Sequence, residues 1–437
     1  MAGANTQVID GLLKENYEAF IAEQVNDKNP FSDVFKTEDV PFGGRETVYD
    51  AHVSRNTSPM FTGEDSAMAD AGAQGHVEVR VDQKKLMGRV RITPEAMYDT
   101  SKGEYAWKQA RKDEMDGLIK DLARREEYAL TLEGRGLLAV VTSATPSNSA
   151  TITVQNSGGI TNTNFGNRFI MVGMFVAFVN PLTGALRANG QYKVLSVSSD
   201  GTTATLSTTP DASVLQNDWI VQAANSTVTD ILDTSYEHAF WGILALVDNG
   251  TYRKLYAGVD RNIYDAFNSY VLANTGALSA DAMQGASDAV DMKLNGKTDL
   301  LCMQHAVRRV YINDLSADRR YIGADLMSPD AGTKAFTQGD LTMGEVKIKA
   351  LRDFAFDKIV GLDTSNMGAV KYESEPGKWV DEDGRILIRV GTGTAARDAF
   401  EAWYRIRRQY HLRYPGVCWR LDGLTGQTVT IVRPAGD

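Results

Sequence analysis

Residues Phe400–Tyr414 read FEAWYRIRRQYHLRY. Phe400, Ala402, Tyr404, Ile406, Tyr410, Leu412 and Tyr414 share one parity; Glu401, Arg405, Arg407, His411 and Arg413, with Trp403, share the other. A period of two puts one set on a buried face and the other toward water, so the stretch is a long amphipathic strand despite its helix-tolerant residues. Arg408 is the exception, a cation on the apolar parity. Arg405, Arg407, Arg408 and Arg413 make a basic strand. Two readings stay open for it: pairing with acids of a neighbour or of a long helix upstream, and contact with nucleic-acid phosphates. Only Trp403 offers the stacking ring that single-strand binders use.

Working back from that strand, Asp383-Gly384 is a hairpin turn signal ahead of Arg385–Val390. Residues 231–380 alternate helical and extended patterns. Asp260 is placed to cap a helix carrying Ile263, Phe267 and Val271 that stops at Gly276. Ser279 caps a second, which carries Met283, Val290 and Leu294 and stops near Gly296. A buried strand from Asp299 to Met303 and a helix from Ala306 to Leu315 follow, then strands at Val346–Ala350, Ile359–Leu362 and Ala369–Tyr372.

Residues 140–230 differ in composition. Between Thr142 and Thr229 the charged residues are Arg168, Arg187, Lys193, Asp200, Asp211 and Asp218, where the chain average of 23% would give about twenty. Short β-segments recur at Ala150–Val154, Met174–Val179, Gln191–Val197, Thr203–Leu206 and Asp218–Gln222, parted by turns such as Asp200-Gly201. The pattern predicts a small β-barrel or sandwich, and its sharp borders mark an inserted module.

Residues 99–139 hold the strongest helix. Ser101 with Glu104 forms a capping box, and Trp107, Ala110, Met115, Leu118, Ile119, Leu122 and Leu130 form the apolar stripe. Asp116–Lys120 and Asp121–Arg125 are favourable pairs one turn apart, and Gly134 and Gly136 close the helix. Residues 41–98 carry two alternating segments, Glu46–Val53 and His76–Thr93. In the second, Val77, Val79 and Val81 oppose Glu78, Arg80 and Asp82; later Val90 and Ile92 alternate with Arg89 and Arg91. The turn-rich NTSPMFTGEDSAMADAGAQG (56–75) lies between them. A long two-stranded ribbon is marginal in water, so a neighbouring subunit is its natural support. Within residues 1–40, Leu12, Leu13, Tyr17, Phe20, Ile21 and Val25 make a short amphipathic helix, which either packs on its own domain or reaches onto a neighbour.

The chain has 437 residues, 43% apolar and 23% charged, which excludes a disordered chain, a collagen and a coiled-coil rod. A net charge of −10 argues against a domain whose main task is gripping nucleic acid. Cys302 and Cys418 form no CxxC, zinc set or disulfide framework and read as buried thiols. No secretory signal opens the chain, and the longest apolar run, Phe169–Val179, is too short to span a bilayer. Gly391-Thr-Gly393-Thr-Ala-Ala396 matches GxGxxA, yet period two follows it where a dinucleotide site needs a helix. The Asp381–Gly384 DEDG would put Trp379 and Val390 at calcium-ligand positions, which neither can fill. His52, His76, His238, His305 and His411 make no HxxxH or HExxH, and GxSxG and Walker A are absent. No catalytic residue, cofactor, metal or membrane contact is expected, and no enzyme.

The order of elements is amphipathic arm, extended ribbon, long helix, mixed α/β region and closing amphipathic strand. It resembles the major capsid protein of tailed bacteriophages, with the Hong Kong 97-type shell fold. Arg124–Gly136, RREEYALTLEGRG, is similar to the family's helix exit, and Ala369–Trp419 is similar to its closing strands, ending in the aromatic–proline step Tyr414-Pro415. The resemblance covers the chain except about 140–230. It implies an α+β fold with an N-terminal arm (1–40), an extended loop (41–98) and a spine helix (99–139) of the peripheral domain. The inserted β domain (140–230), an axial domain (231–385) and peripheral strands with the C-terminal segment (386–437) follow. The implied function is a structural subunit forming hexamers and pentamers of an icosahedral shell around double-stranded DNA, held non-specifically. The implied location is the virion capsid, assembled in the cytoplasm of a bacterial host.

Subunit contacts are then expected from Tyr17 and Phe20 of the arm and from Met60, Phe61 and Arg80 of the ribbon. Lys84 and Lys85 at the ribbon's base and Arg405, Arg407 and Arg413 of the closing strand complete that set. The short arm implies that no large cleaved scaffolding segment is in this chain, so a separate scaffolding protein or an already processed chain is expected, with a portal and a decoration protein as further partners. Some members of that family cross-link a loop lysine to an asparagine; Lys84 and Lys85 stand in the corresponding region, with no asparagine identified. Three other readings compete. A cellular nanocompartment shell of encapsulin type would share the fold and hold cargo enzymes. A carbohydrate-binding or adhesin protein would act through 140–230. An enzyme has no motif to name.

Overall fold

The computed structural model describes residues 31–39, 46–94, 104–156, 166–188, 191–225, 230–318, 342–343, 346–351, 353–364, 369–381, 386–390 and 398–426. The chain begins with β1 (Lys36–Asp39), β2 (Glu46–Ser54), β3 (Gly75–Asp82), β4 (Lys84–Ile92) and helix α1 (Glu104–Thr131). Six strands follow: β5 (Leu137–Val141), β6 (Thr151–Asn156), β7 (Phe175–Val179), β8 (Tyr192–Val197), β9 (Thr203–Leu206) and β10 (Trp219–Gln222). Next come α2 (Ile243–Leu246), β11 (Leu255–Tyr256), β12 (Val259–Asp260), β13 (Tyr270–Leu272), β14 (Gly276–Ala277), α3 (Ala280–Leu294), β15 (Leu300–Gln304) and α4 (His305–Asp318). The last strands are β16 (Thr342–Met343), β17 (Val346–Leu351), β18 (Ile359–Leu362), β19 (Ala369–Trp379), β20 (Ile388–Arg389), β21 (Phe400–Leu412), β22 (Trp419–Leu421) and β23 (Leu424–Thr425). Ser101, the Gly391–Ala396 motif, Asp383-Gly384 and the amphipathic stretch from Leu12 to Val25 lie outside the described residues.

β21 is the spine of the first sheet, ordered β1-β19-β21-β20, with β4 also paired to β21. Its apolar parity is buried as the alternation requires: Tyr404, Ile406, Tyr410 and Leu412 are at most 1% exposed. The other parity does not stay wet along its length. Gln409 and His411 are fully buried, because Trp241 and Tyr256 close over that side. β1 runs parallel to β19, and the flanking Phe31 and Phe35 are buried, Phe35 edge-on to Tyr410.

The single long strand expected over His76–Thr93 is two strands in two sheets. β3 pairs with β2, whereas β4 pairs with β21 from Ile92↔Phe400 to Lys84↔Arg408. The alternation carries the reason: apolar residues fall on odd numbers through Val81 and on even numbers from Leu86, so the phase slips at Gln83 and each half faces a different partner.

α1 has 28 residues, about 42 Å at 1.5 Å per residue. Met115, Ile119, Leu122 and Leu130 are buried. Leu118 crosses β4 at Gly88, where an added Cβ would stand 2.7 Å from Leu118 Cδ1. Arg125 also reaches the barrel, bonding Gln222 Oε1 at 2.8 Å. At the helix exit Gly134 has φ +77, and a Cβ there would meet the Phe240 carbonyl at 2.1 Å, so only glycine makes the turn.

Strands β5 to β10 close into a barrel in the order β10-β5-β6-β9-β8-β7. Five of the six were predicted; β5, which seals the barrel between β10 and β6, was not. The third sheet, β13-β22-β18-β15-β17-β16, lies beside α3 and α4. α3 is capped as expected, Ser279 Oγ accepting from the Ala282 amide at 3.1 Å, and it ends at left-handed Asn295. The helix expected after Asp260 is absent. Buried Arg261 draws in the carbonyls of Ala245, Asp248 and Phe267, and Val271 pairs in parallel with Arg420, so the segment is a turn, a 3₁₀ helix and β13. Cys302 and Cys418 are buried free thiols, as read from the sequence, and burial raises both to about 12.

Candidate assembly surface

β2 and β3 form a two-stranded ribbon of their own. Register pairs Thr47 with Val81, Tyr49 with Val79 and Ala51 with Val77. Ala51, Val79 and Val81 are buried, so this is the inward face. The outward face pairs Val48 with Arg80, Asp50 with Glu78 and His52 with His76. Polar side chains pair along it: Arg80 reaches Glu78 Oε1 at 3.1 Å, and His76 Nδ1 lies 3.0 Å from Asp50 Oδ2.

Among the described residues, the ribbon's tip is largely uncovered. Met60 is 53%, Phe61 107% and Met68 88% exposed, in a segment that also carries Glu64, Asp65 and Asp70. Burying a large apolar side chain is worth about 1.5–3 kcal/mol, so three left in water forfeit a stabilisation that a partner surface could recover.

The ribbon's base is tied down. Tyr49 Oη lies 2.6 Å from His411 Nε2 and donates to the Arg413 carbonyl at 3.2 Å, while the Arg80 amide donates to the Ala257 carbonyl at 3.0 Å. Burial, with Arg413 and Arg261 nearby, pushes the His411 imidazole down to about 3, so it is neutral at physiological pH. Tyr256 stacks on it, centroids 5.0 Å apart.

At that base the register sets Lys85 opposite Arg407 and Lys84 opposite Arg408, with Arg405 opposite Met87. Lys84 is within 3.9 Å of Asp82. Lys84, Lys85, Arg125, Leu132, Glu133 and Phe240 border a groove of about 990 Å³. Burial lowers the Arg125 guanidinium and raises the Glu133 carboxyl to about 7, against the opposing pull of Arg135, which sits 2.8 Å away.

At Arg408 the structure favours one of the two readings of the basic strand, pairing with an acid of the long helix. Arg408, the misfit of the opening strand, holds Glu126 Oε1 of α1 at 3.0 Å and Glu373 Oε1 of β19 at 2.9 Å. The Tyr410 hydroxyl donates to the same Glu126 oxygen. Burial alone would lower Arg408, but Glu126, Tyr410 and Glu373 outweigh it and hold the cation firmly charged. The signal was present: one cation on an apolar parity needs a buried anion, and Glu126 occupies a core-facing position of α1.

Of the expected contact residues, Met60, Phe61 and Arg80 lie on the ribbon, outward or at its tip. Lys84, Lys85, Arg405 and Arg407 come together on adjacent strands at its base, and Arg413 supplies a carbonyl to the anchor. Tyr17 and Phe20 lie outside the described residues. Among the described residues, no three histidine, cysteine or acidic side chains are grouped to hold a metal ion, and no helix is long and apolar enough to cross a membrane.

No protein-family model matches the chain, and no curated protein matches its sequence. Solved structures do. The chain superposes on a subunit of the cyanophage A-1(L) capsid asymmetric unit with a TM-score of 0.51 at 9% identity, covering 91% of this chain and 93% of that one. It carries a phage-capsid fold. A native GTA particle capsid (TM-score 0.44, 10% identity, 91% of each chain) and the capsid of Myoviridae phage XM1 (0.43, 8%, 91% and 92%) are also similar, at scores too low to add weight. With the phage-capsid fold in view, the ribbon, long helix and closing strand form one connected framework, and the barrel hangs from the helix exit.

Proposed function

We propose that the chain is the major capsid protein of a tailed phage, a structural subunit that assembles into hexamers and pentamers of an icosahedral shell around double-stranded DNA. The observation that carries this is the phage-capsid fold over 91% of the chain. The ribbon tip supports it, because Met60, Phe61 and Met68 are exposed, with no described residue of the chain covering them.

In this reading residues 1–40 are the arm, 41–98 the extended loop, and α1 with the strands from 386 onward the peripheral domain. Residues 231–385 are the axial domain, and the barrel is an insertion between spine helix and axial domain. The ribbon of one subunit lies on the next. Each overlap buries apolar area worth about 25 cal/mol per Å² before association costs, so single contacts stay modest and correctable while a closed shell sums many of them. A scaffolding protein, a portal and a decoration protein are the partners this role calls for, and the virion is the location.

Electron microscopy of the purified protein, alone and with its neighbouring genes, tests the proposal. Closed angular shells, or rings of five and six, are expected. A monomer under every condition, including an added scaffolding protein, would overturn it.

A further inference from the structure

The outward face of the β2–β3 ribbon carries two of the chain's five histidines, and the register sets them opposite each other, His52 on β2 against His76 on β3. Directly opposed cross-strand residues have Cβ atoms about 4.5–5.5 Å apart, close enough for both imidazoles to reach one point above the sheet. The two rings meet edge to face, with centroids 5.3 Å apart and planes inclined by 68°. Two imidazoles on one tetrahedral ion, with metal–nitrogen bonds of about 2.0–2.1 Å, have centroids roughly 5 Å apart.

Asp50, two positions before His52 on the same face, orients the second ring: His76 Nδ1 lies 3.0 Å from Asp50 Oδ2. An ionised carboxylate only accepts, so Nδ1 carries the proton and Nε2 keeps its lone pair. Metal-ligating imidazoles are held from behind in this way. His52 supplies an independent observation. Its Nε2 is shielded from solvent and has no hydrogen-bond partner among the described residues. A shielded nitrogen left unsatisfied calls for a partner, and an ion is one.

We infer that His52 and His76 bind a divalent transition-metal ion of the zinc, nickel or copper type, with Asp50 as the positioning carboxylate and water in the remaining coordination positions. Imidazole nitrogen suits these ions, whereas calcium and magnesium take oxygen ligands. The chain supplies two ligands where closed structural zinc sites use four, so the ion is held reversibly. Its effect is that of a clip. It closes the loop 53–75, which holds the exposed tip, and joins two strands that are marginal as an isolated pair. The site lies within one ribbon and is independent of the capsid reading.

The test is calorimetric titration of the full chain with zinc alone at neutral pH, beside hydrogen-exchange mass spectrometry with and without zinc. The variants are His52→Ala, His76→Ala, the two combined, Asp50→Ala and Asp50→Asn. His238→Ala, which removes an exposed histidine elsewhere, is the control. Thermal melts check that each is folded. One ion per chain is expected, bound about tenfold or more weakly in either histidine variant and in Asp50→Ala. Asp50→Asn should restore most of the loss, because its amide oxygen still accepts from Nδ1. The control should stay within about twofold. In the parent, zinc should slow amide exchange in β2 and β3, a readout that needs no variant, and calcium should not. No binding by the parent, full binding by the double variant, or an equal loss in the control would overturn the inference. So would unchanged exchange in the ribbon. Zinc-driven dimers that either histidine variant abolishes would mark an ion bridging two copies and overturn the clip within one ribbon.

Discussion

Tyr49 and His411 stand 362 positions apart in the chain, and their side chains meet at 2.6 Å, Oη to Nε2. This bond fastens the ribbon to the central strand of the first sheet, at the end where the closing strand is buried on both sides. It places an exposed element on a buried root.

Tyr49→Phe removes that bond and the one to the Arg413 carbonyl while keeping the ring. A loss of about 1–2 kcal/mol is expected, with faster amide exchange confined to β2 and β3. Exchange mass spectrometry checks it; uniform acceleration across the chain would show that the bond is not specific to the ribbon.

His411 gives the fold an acid-sensitive point. Its folded value of about 3 lies below the ordinary value near 6.5, so the neutral form is the one the fold stabilises. The contribution is complete above about pH 6.5 and is lost as pH falls toward 3. His411→Asn should remove up to about 1.4 kcal/mol per pH unit of dependence in that window relative to the parent, read by urea titration at several pH values. Parallel pH profiles would contradict it.

Glu133 titrates in the opposite sense. Its folded value of about 7 exceeds the ordinary carboxylate value, chiefly through burial, so its contribution is full below about pH 4.5 and is lost as pH rises through 7. Stability of Glu133→Gln relative to the parent should therefore improve between pH 5 and 8, by on the order of 3 kcal/mol. A difference that stays flat across that range would show that the ion pair with Arg135 governs instead.

Arg408→Met leaves Glu126 buried without its cation, while Glu373 keeps Lys371 at 3.3 Å. A loss of about 3–5 kcal/mol is expected in chemical denaturation, and adding Glu126→Gln should recover part of it. A loss below about 1 kcal/mol would mean that water reaches the carboxylates.

Removing the ribbon tip, Pro59–Gly75, takes away residues that are almost all exposed and should leave the melting temperature of the subunit nearly unchanged. Assembly should fail. Normal shells from this variant, seen by microscopy, would remove the ribbon from the set of intersubunit contacts.

Much of the fold could be read from alternation. Val77, Val79 and Val81 placed β3, and the Phe400–Leu412 parity placed β21, because a sheet with one buried face writes period two into the chain. Ser279 placed α3 through its side-chain cap. What failed depended on distant partners. The stretch after Asp260 has a helix signal, but its Arg261 is buried against the carbonyls of Ala245 and Asp248, residues more than a dozen positions upstream. β5 sits so close to a helix exit that Leu137–Val141 reads as its tail. The candidate contact residues stood out in the sequence as apolar or basic positions, and the Arg408–Glu126 pair falls within one of the two readings of the basic strand, acids of the long helix, although nothing local singled out Glu126, 282 positions away.

The barrel leaves the chain and rejoins it through neighbouring strands, with Leu137 of β5 paired against Val221 of β10. To the rest of the molecule, the whole excursion is a stitch barely wider than one strand spacing, about 5 Å. A replacement unit of any size with ends that close together could be spliced into the same two points with little added entropy of closure. The junction thus works as a socket, and a cut at Thr142 would miss it by leaving β5 behind without its partners.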